Sequence, residues 1–339
     1  MRRFSCPGCS GEVHFDNLAC LSCQALLAYR PSAGDMVALQ DGDGLLRCAN
    51  RDAIGCNWIV EDGHPEGLCL SCRHTTMIPD LTVAGNDRRW AKLESAKRFL
   101  FYSLLRFGLP TETALQTAEG GLEFHFLSDE FIPGEGVRRV LTGHDEGLIT
   151  LNIAEADDAT REKHRAAMGE PYRTLIGHFR HEIGHYYWDR LVAEGGRLDE
   201  CRAVFGDERA DYGAALERHY QNGAPEGWEA FHVSAYATSH PWEDFAESWA
   251  HYLHITDGLE TAAAYRYLPL AEAEAGLRDA SAAPYTAGAD PNLLFEAWVP
   301  LTVAVNAMNR SMGQPDFYPF VLSDTIRAKL SYIHTLIHG

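Results

Sequence analysis

The cysteines constrain this chain most. Eight of nine fall between Cys6 and Cys72, and Cys201 stands alone. The first four form two close pairs, Cys6-Pro7-Gly8-Cys9 and Cys20-Leu21-Ser22-Cys23, with ten residues between them. Two such Cys-x2-Cys turns present four thiolates that can close a tetrahedral Zn²⁺ site. The short apolar stretches beside them suit small β-hairpins, and the combination describes a zinc ribbon. A unit this small cannot bury enough apolar surface to fold alone, so the metal must supply much of its folding free energy. Residues 45–80 carry a second, less regular version. Cys69-Leu70-Ser71-Cys72 is a good turn, but seven residues separate Cys48 from Cys56, more than the roughly two to four usual in such sites. We therefore expect a first structural zinc on Cys6, Cys9, Cys20 and Cys23, and a second on Cys48, Cys56, Cys69 and Cys72.

In a secreted chain, eight cysteines would suggest a disulfide framework. Here Met1-Arg2-Arg3-Phe4-Ser5-Cys6 runs into the first motif without an apolar signal core. That and the close pairing favour thiolate sites in a reducing, cytoplasmic compartment. The formal charge of −19 argues against a nucleic-acid partner, because neutralising phosphates takes clustered Lys and Arg. The ribbons hold slightly more acids than bases, which suits a structural or protein-docking module. No apolar run reaches membrane-spanning length; Phe99 to Leu105 is short and bounded by Arg98 and Arg106.

After a Gly- and Asp-rich linker, Pro31 to Leu45, the spacing predicts a helix from about Asp87 to Phe107 with Asn86 as its cap. Trp90, Leu93, Leu100, Leu104 and Phe107 form its apolar stripe, and Gly108 and Pro110 stop it. Strand-like pieces follow at Leu122 to Leu127, Arg138 to Leu141 and Gly147 to Ile153. If the last forms a sheet edge beside a cleft, an extended peptide could pair with it. From Glu155 onward the chain reads as mainly helical, with segments at Asp207 to Tyr220, Trp242 to Ile255, and Leu293 to Met308, the last bent or interrupted at Pro300. A last helix starts at Ser323 with Ile326, Leu330, Ile333 and Leu336 inward.

One helical run, from about Pro171 to Val192, holds His181-Glu182-Ile183-Gly184-His185. Histidines four apart on a helix share a face, with Cβ atoms roughly 5–6 Å apart, close enough to bind one Zn²⁺. Glu182 is turned roughly 100° round the axis, where its carboxylate can reach a water on the metal without ligating the metal. Gly184 costs such a helix up to about 1 kcal/mol, tolerable where something must approach the backbone closely.

A catalytic zinc usually has three protein ligands and an open position. A third histidine six residues after His185, with a glycine midway, would mark a metzincin; Leu191 and Trp188 occupy those places and exclude that class. Two acidic segments compete instead. Glu243 and Glu247 lie four apart, so Glu243 could bind the metal while Glu247 hydrogen-bonds a ligating histidine. Asp207 and Asp211 offer the same spacing, with Glu208 beside them, but Arg202 and Arg209 flank that segment; Glu243 is the better candidate. Tyr236, seven residues before Glu243, could donate to the oxyanion of a tetrahedral intermediate. His178, His240, His251 and His254 suit rim, supporting or core roles, and Cys201 a buried thiol.

The set Tyr236-x6-Glu243-x3-Glu247 after His181-Glu182-x2-His185 resembles gluzincin metallopeptidases, notably those similar to anthrax lethal factor and the Pro-Pro endopeptidases. The whole chain resembles a bacterial family of zinc-ribbon-containing zinc metallopeptidases. The cysteine region, Gly143 to Asn152, His178 to Trp188 and His240 to Glu247 carry that likeness. The resemblance implies an α+β protein. Tandem ribbons over residues 1–80 would precede a mainly helical, zincin-like peptidase domain over 81–339 with a short, edge-exposed β-sheet. It implies one catalytic and two structural zinc ions, and a peptide or protein substrate. Glu182 and Tyr236 would be catalytic, His181, His185 and Glu243 ligands, and Glu247 a supporting residue. A protein partner could dock on the ribbons. The alternative is a zinc-stabilised protein-binding adaptor without catalysis.

Overall fold

The computed structural model describes residues 1–117, 120–132, 136–168, 173–269 and 274–339. They form an α+β protein in two compact units: Arg3–His164, and Met1–Arg2 with Arg165–Gly339.

The first unit begins with three antiparallel hairpins. β1 (Phe4–Ser5) pairs with β2 (Glu12–Val13), β3 (Leu27–Arg30) with β4 (Asp35–Ala38), and β5 (Leu46–Arg47) with β6 (Ile59–Val60). The segment Pro31 to Leu45 is thus not only a connection, since β4 lies within it. The long gap between Cys48 and Cys56 also has a structural cause. A single turn of helix, α1 (Arg51–Ile54), fills it, and Gly55 at φ 64° turns the chain back. That left-handed conformation suits glycine, which has no Cβ to clash.

The two cysteine regions share one aromatic core. Phe15 lies 4.7 Å from Tyr29 and 6.1 Å from Trp58 between ring centroids, and Tyr29 lies 5.1 Å from Trp58. Tyr29 N–H donates to Asn57 O at 2.8 Å, and the Asn57 side chain donates to Phe15 O at 2.6 Å. α2 (Asn86–Phe107) closes this core with Phe99 and Tyr102, 5.1 and 5.5 Å from Phe15.

Asn86 does not cap α2. It is the first helical residue, and its side chain donates to Asp80 O at 2.9 Å. The expected stripe from Trp90 to Phe107 is buried, and Gly108 ends the helix at φ 67°. Buried with it is an ion pair that apolar spacing could not show. Lys97 and Glu94, both fully buried, lie 3.0 Å apart, and both hydrogen-bond to Thr75. Burial raises the Glu94 pKa. Breaking such a pair is costly because it leaves one charge uncompensated in the interior.

β7 (Thr75–Met77) and β8 (Glu123–Leu127) belong to a four-stranded sheet. β9 (Glu130–Ile132) and β10 (Gly136–Arg138) form a separate hairpin, so Arg138 ends a strand rather than starting one. β11 (Gly143–Asp145) and β12 (Leu148–Asn152) complete the sheet in the order β11-β12-β8-β7. Phe124 and Phe126 of β8 and Ile149 and Leu151 of β12 alternate inward, as expected for strands with one buried face. The strand read at Gly147 to Ile153 is β12, and it does not meet the condition for peptide pairing, being internal rather than at an edge. It pairs with β8 in parallel and β11 in antiparallel, which leaves β11 and β7 as the edges.

α3 (Asp158–Met168) leads into the second unit. α4 (Leu175–Tyr187) starts at Thr174, whose hydroxyl accepts from Gly177 N–H at 3.1 Å. Pro171 lies outside the described residues. The helical run does not stay regular to Val192, since Trp188–Ala193 forms a π-turn, a form that often occurs at functional sites. α5 (Leu198–Phe205) follows, then α6 (Tyr212–Asn222), capped by Asp211. α7 (Pro241–Ala264) is capped by His240, whose Nδ1 accepts from Trp242 N–H at 3.1 Å. Pro at the first helical position costs nothing, because that N–H has no helical partner. α8 (Ala275–Ala282) and α9 (Pro291–Ser311) precede α10 (Asp324–His338); α9 continues through Pro300, and α10 buries Ile326, Leu330, Ile333 and Leu336.

α4 and α7 pack very closely, and Gly184 is the reason. A Cβ at that position would stand 3.0 Å from Ala246 Cα and 3.2 Å from Trp249 Cβ. Beside it, Tyr187 stacks on Trp249 with ring centroids 4.9 Å apart. Overpacking costs about 1–3 kcal/mol, against up to about 1 kcal/mol gained in helix propensity. Gly184→Ala should therefore lower the thermal unfolding midpoint. A raised midpoint would show that the helices can part without loss.

Candidate metal centre

The close approach of α4 and α7 sets Glu243 opposite the two histidines. Glu243 Oε2 lies 2.9 Å from His181 Nε2 and 3.5 Å from His185 Nε2, and the two Nε2 atoms are 3.2 Å apart. Bonds of about 2.0–2.2 Å to a tetrahedral zinc put neighbouring donors roughly 3.3–3.6 Å apart. The three atoms nearly meet that requirement, and all three residues are buried or nearly so. His185 is held in place by Trp242, whose ring lies 4.0 Å from its own.

Glu247, one turn further along α7, fixes the other histidine. His181 Nδ1 donates to Glu247 Oε1 at 2.7 Å, Ser234 Oγ donates to Glu247 Oε2 at 2.6 Å, and Ala237 N–H donates to Ser234 Oγ at 3.1 Å. Burial opposes the Glu247 charge, but the His181 contact outweighs it and holds the carboxyl at about 2. Burial likewise opposes a charged His181, yet its contacts with Glu243 and Glu247 raise its pKa well above the ordinary value. Two carboxylates around two imidazoles thus favour a cation at their centre, a proton or a metal.

Glu182 is buried on the same helix and is absent from the donor group. The Tyr236 ring lies 5.9 Å from the rings of both His181 and His219. Burial first, and then the nearby charges of Glu243 and Glu182, push the Tyr236 pKa far up. Tyr212 feels the same two carboxylates, and its phenol donates to Glu243 Oε1 at 2.5 Å. Sequence reasoning missed Tyr212. The one available signal was its place directly after Asp211, in the segment weighed as a ligand source.

That segment supplies no donor to the group. Asp207 pairs with Arg209 at 2.6 Å, and Glu208 pairs with Arg202 at 2.5 Å. Asp211 caps α6 by accepting from Ala214 N–H at 2.9 Å. His240 spans two elements, since its Nε2 also donates to Ala210 O at 3.1 Å. His251 Nδ1 lies 2.7 Å from the Tyr318 hydroxyl, and His254 contacts Arg180. His178 is half-buried and outside the donor group. Cys201 is buried, which pushes its thiol up to about 11.

The cysteines gather in two groups of four. Cys6–Cys23 and Cys9–Cys20 are 3.7 Å apart between sulfurs, Cys56–Cys69 3.6 Å and Cys56–Cys72 3.7 Å. Zinc–sulfur bonds of about 2.3 Å at tetrahedral angles require about 3.8 Å. In the first group, Ser10 (φ 59°) and Gln24 (φ 64°) each follow a Cys-x2-Cys turn and donate back to Cys6 O and Cys20 O. The second group is wholly buried, and burial together with the neighbouring sulfurs pushes the Cys69 thiol well up. Such a cluster cannot hold several thiolates together without a cation to balance them.

These features define a zinc-binding class of protein, with two four-cysteine groups and a third group of two histidines and a carboxylate, and comparison with known proteins agrees on zinc. A family model described as "Putative zinc-binding metallo-peptidase" matches residues 86–336, and a zinc-ribbon domain model matches residues 3–83. The chain belongs to that zinc-binding metallopeptidase family, with a zinc-ribbon domain at its N-terminal end. Two Mycobacterium tuberculosis proteins, from strains H37Rv and CDC 1551, and one from Mycobacterium bovis are 43% identical to it over 338 residues. The match covers 99% of this chain and 95% of each relative, and all three relatives are uncharacterized proteins. No solved structure matches the chain. Among the described residues, no helix is long and apolar enough to cross a membrane.

Proposed function

We propose that this protein is a gluzincin-type peptidase that hydrolyses peptide bonds at His181, His185 and Glu243, with two structural zinc sites in its cysteine region. One observation carries the reading: the donor atoms of those three residues converge while Glu182, on the same helix, stays outside them. Zinc held there would act as a Lewis acid and lower the pKa of a coordinated water from 15.7 to about 7. Glu182 would serve as the general base that takes a proton from the attacking water and as the acid that returns it to the leaving amine. Tyr236, kept protonated by its surroundings, donates to the developing oxyanion. Glu247 holds His181 so that Nε2 faces the centre.

The same reading treats residues 1–80 as the ribbon part and 81–339 as the peptidase part, a division that the two family matches support. The ribbons serve as a structural cap or recruit a protein substrate, and thiolate ligands suit a reducing, cytoplasmic setting. A zinc-stabilised adaptor would need no general base beside its histidines, so Glu182 favours catalysis.

Metal analysis of protein purified without chelator should give three zinc ions per chain, one for each donor group. His181→Ala should leave two. An unchanged count in His181→Ala would remove the catalytic site from the account, and an unchanged count in Cys48→Ser would remove the second ribbon site.

A further inference from the structure

The two oxygens of Glu243 have different surroundings. Oε2 faces the histidine nitrogens at 2.9 and 3.5 Å, while Oε1 accepts the Tyr212 hydroxyl at 2.5 Å. The geometry points to Tyr212 as a positioning residue that holds Glu243 to the metal through Oε2 alone. This inference rests on the proposal that His181, His185 and Glu243 are ligands.

A carboxylate can bind a metal through one oxygen or both. A phenol on Oε1 occupies that oxygen and fixes the plane of the carboxylate, so the second oxygen is kept off the metal. The centre then has three protein donors, and the fourth tetrahedral position stays open for water or a substrate carbonyl. The bond is also strong for its type, because its acceptor is an ionised group and Glu243 is buried. Without it, Oε1 would lose its hydrogen-bond partner and be free to turn onto a metal held by Oε2.

The fold places Tyr212 for this role. It is the first residue of α6, directly after the Asp211 cap, and its ring packs 5.2 Å from His240 and 5.8 Å from Trp242. His240 caps α7 and donates to Ala210 O, so the start of α6 is tied to the start of α7, where Glu243 lies. Tyr236 is a neighbour, and its hydroxyl hydrogen-bonds that of Tyr212. Its ring, however, packs on His181 and His219, whereas that of Tyr212 packs on His240 and Trp242.

Tyr212→Phe tests the inference, since it removes the hydroxyl and keeps the ring. In the full chain, with zinc retained in the cysteine sites, the histidine centre is emptied by chelator and reloaded with Zn²⁺ or Co²⁺. Tyr212→Phe should bind zinc about 10–100-fold more weakly, as expected for a lost partner of a ligand. Its Co²⁺ visible band should also weaken as Oε1 turns onto the metal and coordination rises from four to five. Tyr267→Phe, at an exposed tyrosine with no part in the centre, should change neither property. Wild-type affinity in Tyr212→Phe would overturn the inference and leave the metal centre standing. Weakened affinity with an unchanged Co²⁺ band would overturn it too, because a loosened site alone explains that result. A wild-type centre that takes up neither metal would overturn the centre and the inference together.

Discussion

Glu182→Gln should retain all three zinc ions and the wild-type unfolding midpoint, yet hydrolyse peptides about 10²–10⁴-fold more slowly, the usual contribution of a positioned general base. The side chain is nearly isosteric, so packing on α4 should survive. Glu182 is not among the converging donors, so the metal should stay. Only the capacity to take a proton is lost. Undiminished turnover would remove Glu182 from the mechanism, and loss of zinc would make it a ligand.

The second large effect is structural. Cys56→Ser should lose one zinc ion and unfold the region around it, while the histidine centre keeps its metal. Structural zinc contributes an apparent 10–16 kcal/mol or so in small ribbon-like peptides, comparable to the whole net stability of a typical domain, about 5–15 kcal/mol. Cys56 is fully buried, and Trp58, two residues on, sits in the aromatic core shared by both cysteine regions. The readouts are zinc content and the near-ultraviolet signal of the aromatic cluster. Full zinc content with an unchanged aromatic signal would show that the second group is not a metal site.

Much of the candidate site was legible in the sequence because its signals are local. Within a few residues, a Cys-x2-Cys turn fixes two of four thiolates and two histidines four apart on a helix fix two of three donors. Glu243 and Glu247 were harder, since Asp207 and Asp211 repeat their spacing. The flanking arginines favour Glu243 in the sequence, and the structure gives the reason: Arg209 and Arg202 engage Asp207 and Glu208, while α7 carries Glu243 to the two histidines. Tyr212 had no signal beyond its place after Asp211, being 31 residues from the carboxylate it binds.

The fold shows the same division. The stripe from Trp90 to Phe107 and the alternation in Leu148–Asn152 followed from periodicity, which reports which face is buried. Periodicity says nothing of strand order, so β12 proved internal rather than at an edge. Nor did composition show β4 within a Gly- and Asp-rich stretch. Its partner β3 supplies the ladder that defines it. The π-turn after Tyr187 was hidden as well, because its apolar spacing passes for ordinary helix.

The central claim is that this centre cleaves peptide bonds. The most direct test compares protein termini across matched cells making wild-type protein or Glu182→Gln at equal levels. The account predicts new termini in the wild-type cells that are missing from the Glu182→Gln cells. The same termini in both would contradict it.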